Sequence, residues 1–157
     1  MTATPSFQRI LLTTDLSPEA AGAYSYARSL AEQYGASLIL LSCIDTSMQY
    51  APGTVGALEV PSIYSPEDTA QQTASVAQAL DQHIQTYFQG LSVSREVRPA
   101  PTPVEKTIVS FSDEHKIDLI VMASHGRSGI RRALLGSTAE HVLRHCMCPV
   151  LVVPIRE

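Results

Sequence analysis

The chain has 157 residues, 45% of them hydrophobic and 17% charged, and a net charge of −4. This length suits one domain, spanning residues 1–157 and burying roughly two thirds of its unfolded surface, and the composition is too apolar for a disordered chain. The acidic balance argues against a nucleic-acid or anionic-membrane binder. No apolar run approaches the ~18 residues that span a bilayer and MTATPSFQR lacks the apolar core of a secretory signal, so a cytoplasmic location is expected.

Arg9 to Thr14 (RILLTT) is a short apolar run that reads as a buried strand, with Asp15 at its end. Ser17-Pro18-Glu19 then follows the cap-and-proline pattern of a helix start. Ala20, Ala23, Tyr24, Ala27, Leu30, Ala31 and Tyr34 recur at spacings of three and four, which predicts one helix to about Tyr34, stopped by Gly35. Ser37 to Ile44 (SLILLSCI) is a continuous apolar run, the pattern of a strand covered on both faces, and Asp45 ends it. From Thr46 to Ser65 the chain turns to Gly, Pro, Ser and Tyr without steady periodicity, so a long excursion from the core is expected.

A second helix is predicted from Ser65-Pro66-Glu67-Asp68, with Val76, Leu80, Ile84 and Tyr87 as its inner stripe before Gly90. Val93 to Val97 reads as a third strand, and Pro99, Pro101 and Pro103 as a connector. Val104 to His115 is a third helix with Ile108, Val109 and Phe111 near the core, Asp118 to Ala123 a fourth strand, Ser137 to His145 a fourth helix, and Val150 to Val153 a fifth strand. Strict alternation of strand and helix predicts a parallel sheet with right-handed crossovers and helices on both faces. Ligands of such sheets sit beyond the carboxyl ends of the strands, where the strand order reverses. Asp15, Ile44-Asp45 and the glycine-containing loop after Ala123 all fall on that edge.

That loop carries the chemistry. The apolar run Leu119 to Ala123 breaks into a turn with Gly126 and Gly129, and Gly136-Ser137 opens the next helix. Glycines let backbone N–H groups crowd around an anion, and a first helical turn offers unpaired donors at a positive dipole end, so the natural guest is a phosphate. His125 touches phosphate, acts as a proton shuttle or is a bystander, and Arg127, Arg131 and Arg132 either neutralise a triphosphate or are ordinary exposed arginines. His141, His145, Cys146 and Cys148 superficially have metal-ligand spacing, but a helix end and a strand start need not bring them together, and no protein-only metal site is expected. The three cysteines, Cys43, Cys146 and Cys148, do not suggest a disulfide framework. No GxxxxGK[ST] loop is present, so any hydrolysis is expected to be slow.

The opening LLTTDLSPEA, the closing CPVLVVP and the glycine loop between them resemble the universal stress protein family over nearly the whole chain. The pattern G-x2-G-x9-G-[ST] of the family's nucleotide-binding branch falls on Ala123, Gly126, Gly136 and Ser137, with alanine replacing the first glycine. Because Ala123 ends a strand, a negative φ is expected there and the methyl group should be tolerated. The resemblance implies a three-layer α/β/α domain with a five-stranded parallel sheet of order 3-2-1-4-5, of the adenine nucleotide alpha-hydrolase-like class. It further implies an ATP-binding stress-response module, with Asp15 contacting the adenosine and the Cys43 backbone reading the adenine edge. Met122 and Ala123 would wall the ribose and phosphate region, the backbone at Gly126 and Gly136 would approach the phosphates with Arg127 beside them, and Ser137 and Thr138 would add hydroxyl donors. Any metal would be Mg²⁺ or Mn²⁺ accompanying the triphosphate. The family's mode of dimerisation implies a homodimer through Val150 to Val153, with further assembly and an unidentified protein partner left open. A slow ATP hydrolase or nucleotide-transferring enzyme, and a partner-binding module without nucleotide, stand as the alternatives.

Overall fold

The computed structural model describes residues 6–47, 54–55, 58–59, 66–125 and 135–155. In chain order its elements are β1 (Arg9–Thr13), α1 (Pro18–Ala21), α2 (Tyr24–Tyr34), β2 (Ser37–Asp45), β3 (Thr54–Val55), β4 (Leu58–Glu59), α3 (Pro66–Tyr87), β5 (Val93–Ala100), α4 (Val104–Glu114), β6 (Leu119–Ala123), α5 (Ser137–His145) and β7 (Val150–Val153). Five strands form a parallel sheet in the order β5-β2-β1-β6-β7, which is the expected 3-2-1-4-5 when the strands of this sheet alone are counted. Within the excursion after β2, β3 and β4 pair antiparallel as a separate two-stranded sheet.

Alternation along the strands sorts the core into two layers. Ile10, Leu12, Leu38, Leu40 and Val121 pack with Tyr24, Ala27, Ala31, Leu80 and Phe88 of the α2 and α3 side. Leu11, Leu41, Ile120 and Met122 pack with Ile108, Phe111, Ala139 and Val142 of the α4 and α5 side. Ile10, Leu11 and Leu12 are all 0% exposed, so β1 is covered on both faces as its unbroken apolar run requires.

Three elements differ from their sequence reading. The single helix expected from Pro18 to Tyr34 is divided: Gly22 N–H donates to the Glu19 carbonyl and Ala23 N–H to the Ala20 carbonyl, bonds to the third residue back that tighten the turn between α1 and α2. β5 runs on through Pro99 to Ala100. The bonds Leu38 N–H to Ser92 C=O and Thr46 N–H to Ala100 C=O turn the even-numbered residues of β5 toward β2, so the donor that Pro99 lacks falls on the free edge of the sheet. In α3, Tyr87 is 44% exposed, and Phe88, four residues after Ile84, takes the buried position instead. The Tyr87 ring still meets Tyr24 edge-on at 5.3 Å. Among the described residues no helix is long and apolar enough to cross a membrane.

One polar chain crosses the α2 and α3 layer. The hydroxyl of the buried Tyr24 lies 2.7 Å from Thr14 Oγ1 and 2.9 Å from His83 Nδ1, tying the end of β1 to α3. Burial of the His83 ring disfavours its charged form and holds its pKa below the ordinary 6.5. The native state therefore binds a proton less readily than the unfolded chain, and the stability this group contributes is complete above about pH 6.5 and declines as the pH falls below it. The thermal midpoint should accordingly drop between pH 7.5 and 5.5, and drop less in His83→Asn, whose amide can still meet the Tyr24 hydroxyl. Parallel pH profiles of the two proteins would show that His83 is not involved.

Candidate functional site

The sheet changes direction between β1 and β6, since the chain moves from β1 through β2 to β5 on one side and from β6 to β7 on the other. The last rung between β1 and β2 is Thr14 N–H donating to the Leu41 carbonyl at 2.9 Å. Beyond it the chain turns away through Leu16, whose φ of 63° lies in the left-handed region. That turn is held by its own side chains: Thr14 Oγ1 accepts from Leu16 N–H at 3.0 Å, and Asp15 Oδ1 accepts from both the N–H and the hydroxyl of Ser17. Ser17 in turn caps α1 by accepting from Ala20 N–H at 3.1 Å. Asp15 thus both faces the switch point and braces the start of the helix.

β2 continues past this departure. Backbone groups of successive strand residues point to alternate sides, and Leu41 bonds toward β1, so the N–H and C=O of Cys43 face the same side one rung beyond the last bond. The Cys43 thiol points into a half-buried setting that pushes its pKa up to about 12, with Arg98 only partly offsetting the burial. It is a protonated, unreactive group, and what this position offers is its backbone.

On the other side of the gap β6 ends at Ala123, which is paired with Val153. Among the described residues only Leu16 and Lys116 are non-glycine residues with positive φ, so Ala123 keeps the strand backbone expected of it. The Gly136 N–H donates to the Ser124 carbonyl at 2.8 Å, and a Cβ on Gly136 would stand 2.9 Å from that same oxygen. With φ at −71°, glycine is required here for close approach and not for handedness. Gly136, the N-cap of α5, has no side chain to cap it, and helix geometry leaves the first-turn N–H groups of Ser137 and Thr138 without an intrahelical partner. Beside them, His125 Nδ1 lies 3.0 Å from Ser124 Oγ, while its Nε2 is buried and has no hydrogen-bond partner among the described residues.

These groups enclose one cavity of about 490 Å³. Asp15, Cys43, Met122, Ala123, Gly136, Ser137 and Thr138 all line it, so seven of the residues singled out from sequence meet at one place. Gly126 and Arg127, with Gly129, Arg131 and Arg132, lie outside the described residues. The lining also includes residues that were not singled out as contacts: Thr13 and Thr14, the apolar wall of Val104 and Ile108 from α4, Ser124, and Asp45. Ile108 was legible as a core-facing residue of its helix, but neither it nor Val104 as a cavity wall. Asp45 accepts from Ser47, whose hydroxyl and N–H hold its carboxyl below the usual carboxylate range.

Elsewhere, His141 and His145 stack with ring centroids 4.0 Å apart, and Cys146 Sγ meets Ser112 Oγ at 3.6 Å. Burial raises the pKa of both Cys146 and Cys148, the latter to about 11. Among the described residues no group of three or more His, Cys, Asp or Glu side chains is placed to hold a metal ion.

A five-stranded parallel sheet of order 3-2-1-4-5, whose switch point opens onto a helix N-terminus, defines an α/β domain with a Rossmann-like fold. The chain belongs to the universal stress protein family, whose sequence profile matches residues 6–154. A universal stress protein of Methanocaldococcus jannaschii is 29% identical over 147 residues, covering 94% of this chain and 82% of that one. The solved structure of the universal stress protein UspA from Lactobacillus plantarum superposes with a TM-score of 0.73 at 24% identity, covering 98% of this chain and 100% of the other. A universal stress protein crystallised in complex with cAMP superposes with a TM-score of 0.63 at 23% identity, over 96% of this chain and 99% of the other.

The contact at Gly136 makes a direct demand on the sequence. Gly136→Ala should lower stability by roughly 1–3 kcal/mol in urea titrations, because the added methyl must push back a backbone carbonyl and not a flexible side chain. An unchanged midpoint would show that the splice between β6 and α5 yields easily.

Proposed function

We propose that this protein binds ATP and works as a nucleotide-dependent regulatory module of the stress response, with at most slow hydrolysis. The observation that carries this reading is the polarity of the cavity. One end offers a backbone N–H and C=O at Cys43, a donor–acceptor pair suited to the edge of an adenine. Toward the other end lies the uncapped first turn of α5, which suits phosphate. Asp15, at the mouth of β1, is available to the ribose, and the apolar wall of Met122, Val104 and Ile108 suits a base and sugar. The structural neighbour that binds cAMP is consistent with an adenine nucleotide here. Mg²⁺ or Mn²⁺ would enter on the triphosphate, since the carboxylates lining the cavity, Asp15 and Asp45, are each engaged by a nearby serine.

Equilibrium binding of labelled ATP in the presence of Mg²⁺ tests the reading. Saturable binding is expected, weakened about tenfold or more by Asp15→Ala through loss of a charged hydrogen-bond acceptor. Absence of saturable binding of any adenine nucleotide by the folded protein would refute it.

We also propose a homodimer through β7. The bonds Ile120 N–H to Pro149 C=O and Ser124 N–H to Val153 C=O turn the odd-numbered residues toward β6, leaving the N–H and C=O of Val150 and Val152 on the outer edge. The opposite edge of the sheet, at β5, is guarded by Pro99 and by the charges of Arg95, Glu96 and Arg98. β7 is all valine and leucine, the edge better suited to pairing with a second copy. Val152→Pro, which removes an outward N–H, should convert a dimer to a monomer in analytical ultracentrifugation with the circular dichroism spectrum retained. A mass unchanged from the parent protein would point to a different interface.

A further inference from the structure

We infer that a second recess, on another flank of α4, is a binding site for a small oxyanion, a carboxylate or phosphate gripped by Arg98 and Lys106. It lies between the end of β5 and α4, has a volume of about 250 Å³ and shares no lining residue with the larger cavity. Thr107, Ser110, Phe111 and Glu114 stand at i, i+3, i+4 and i+7, so α4 turns one stripe to the recess, while Val104 and Ile108 of the same helix wall the larger cavity.

The anchor is Arg98. Its Cζ sits 5.2 Å from the centroid of the Phe111 ring, which is itself buried and stacked on His115 at 3.8 Å. Glu96 Oε2 lies 3.4 Å from Arg98 Nε but makes no hydrogen bond with it, and Nε is closed to solvent. The side chain is nonetheless 39% exposed, through its other atoms, and among the described residues nothing hydrogen-bonds its guanidinium. A guanidinium seated on an aromatic ring with its donors unspent is suited to two parallel bonds to one carboxylate or phosphate. The rest of the lining supplies further donors. Lys106 is exposed and forms no ion pair among the described residues. The hydroxyls of Thr73, Ser75 and Thr86 bond back to their own helix, whereas those of Thr107 and Ser110 make no hydrogen bond among the described residues and can turn to a ligand. Against two cations the lining carries one carboxylate, Glu114, so the recess is net positive in a chain whose net charge is −4. Its volume falls below the roughly 300–1,000 Å³ of pockets for drug-sized ligands, which restricts the occupant to a small anion.

The experiment titrates the nitrogen-15-labelled full chain with sodium phosphate and, separately, with sodium acetate, each against sodium chloride at equal ionic strength, and follows the assigned amide resonances. Saturable shifts at Arg98, Thr102, Lys106, Thr107 and Ser110 are expected with phosphate, acetate or both and not with chloride, and the tighter of the two identifies the class of ligand. Lys106→Gln should weaken that anion about tenfold, and Arg98→Lys, which keeps the charge and loses the planar fork, should weaken it less. Glu114→Gln, which removes the one opposing charge, should tighten it. Lys106 and Glu114 are exposed, and circular dichroism checks that both variants keep the fold. Shifts that never saturate or that chloride reproduces, shifts confined to Ser137 and Thr138 of the larger cavity, or affinities unmoved by both Lys106→Gln and Glu114→Gln would each overturn the assignment.

Discussion

Much of this molecule depends on how closely two backbones meet at Ser124 and Gly136. Ser124, the residue after β6, gives its carbonyl to the residue that opens α5, at a separation that leaves no space for a side chain. That contact closes the glycine loop at its base and fixes where the helix N-terminus emerges beside the sheet. The same serine is bonded through its N–H to β7 and through its hydroxyl to Ile155, so one residue joins the site to the edge strand. Packing, capping and ligand chemistry meet there, and each constrains the others.

The cavity built around this contact works through backbone more than through side chains. Its only thiol, at Cys43, is held protonated by burial, and its first-turn donors come from an uncapped helix. Its carboxylates are already bound to serines in the turns that follow β1 and β2. Among the described residues, such a lining offers shape and a hydrogen-bond pattern set mainly by the backbone.

How much could be read from the chain alone depended on the physics involved. The apolar runs of β1 and β2 and the valines of β7 declared themselves because strands buried on both faces admit few polar residues. The bounds of α5 and the C-terminal end of α2 followed from caps and glycines. Readings that rested on one periodicity were less secure: Tyr87 fitted the stripe of α3 on paper, but Phe88 continues the four-residue step from Leu80 and Ile84 and takes the core position. Pro99 read as a connector because its missing N–H looked disqualifying, which holds only for strands paired on that side. The reason for Gly136 was legible only in part, since sequence shows that a glycine is there and not that a carbonyl stands where its side chain would be. The apolar wall from α4 depended on a crossover that brings distant residues to one edge of the sheet.

Leu16 carries a further implication. A leucine with φ of 63° sits in a conformation that glycine would adopt without steric penalty, yet its side chain packs against the α2 and α3 core while its N–H is bound by Thr14. Glycine at this position would relax the backbone and lose the anchor, and the carboxylate one residue earlier would then swing with the turn. Local strain here is the cost of rigidity: the turn gives up some ease of folding so that Asp15 is held in one orientation against Ser17.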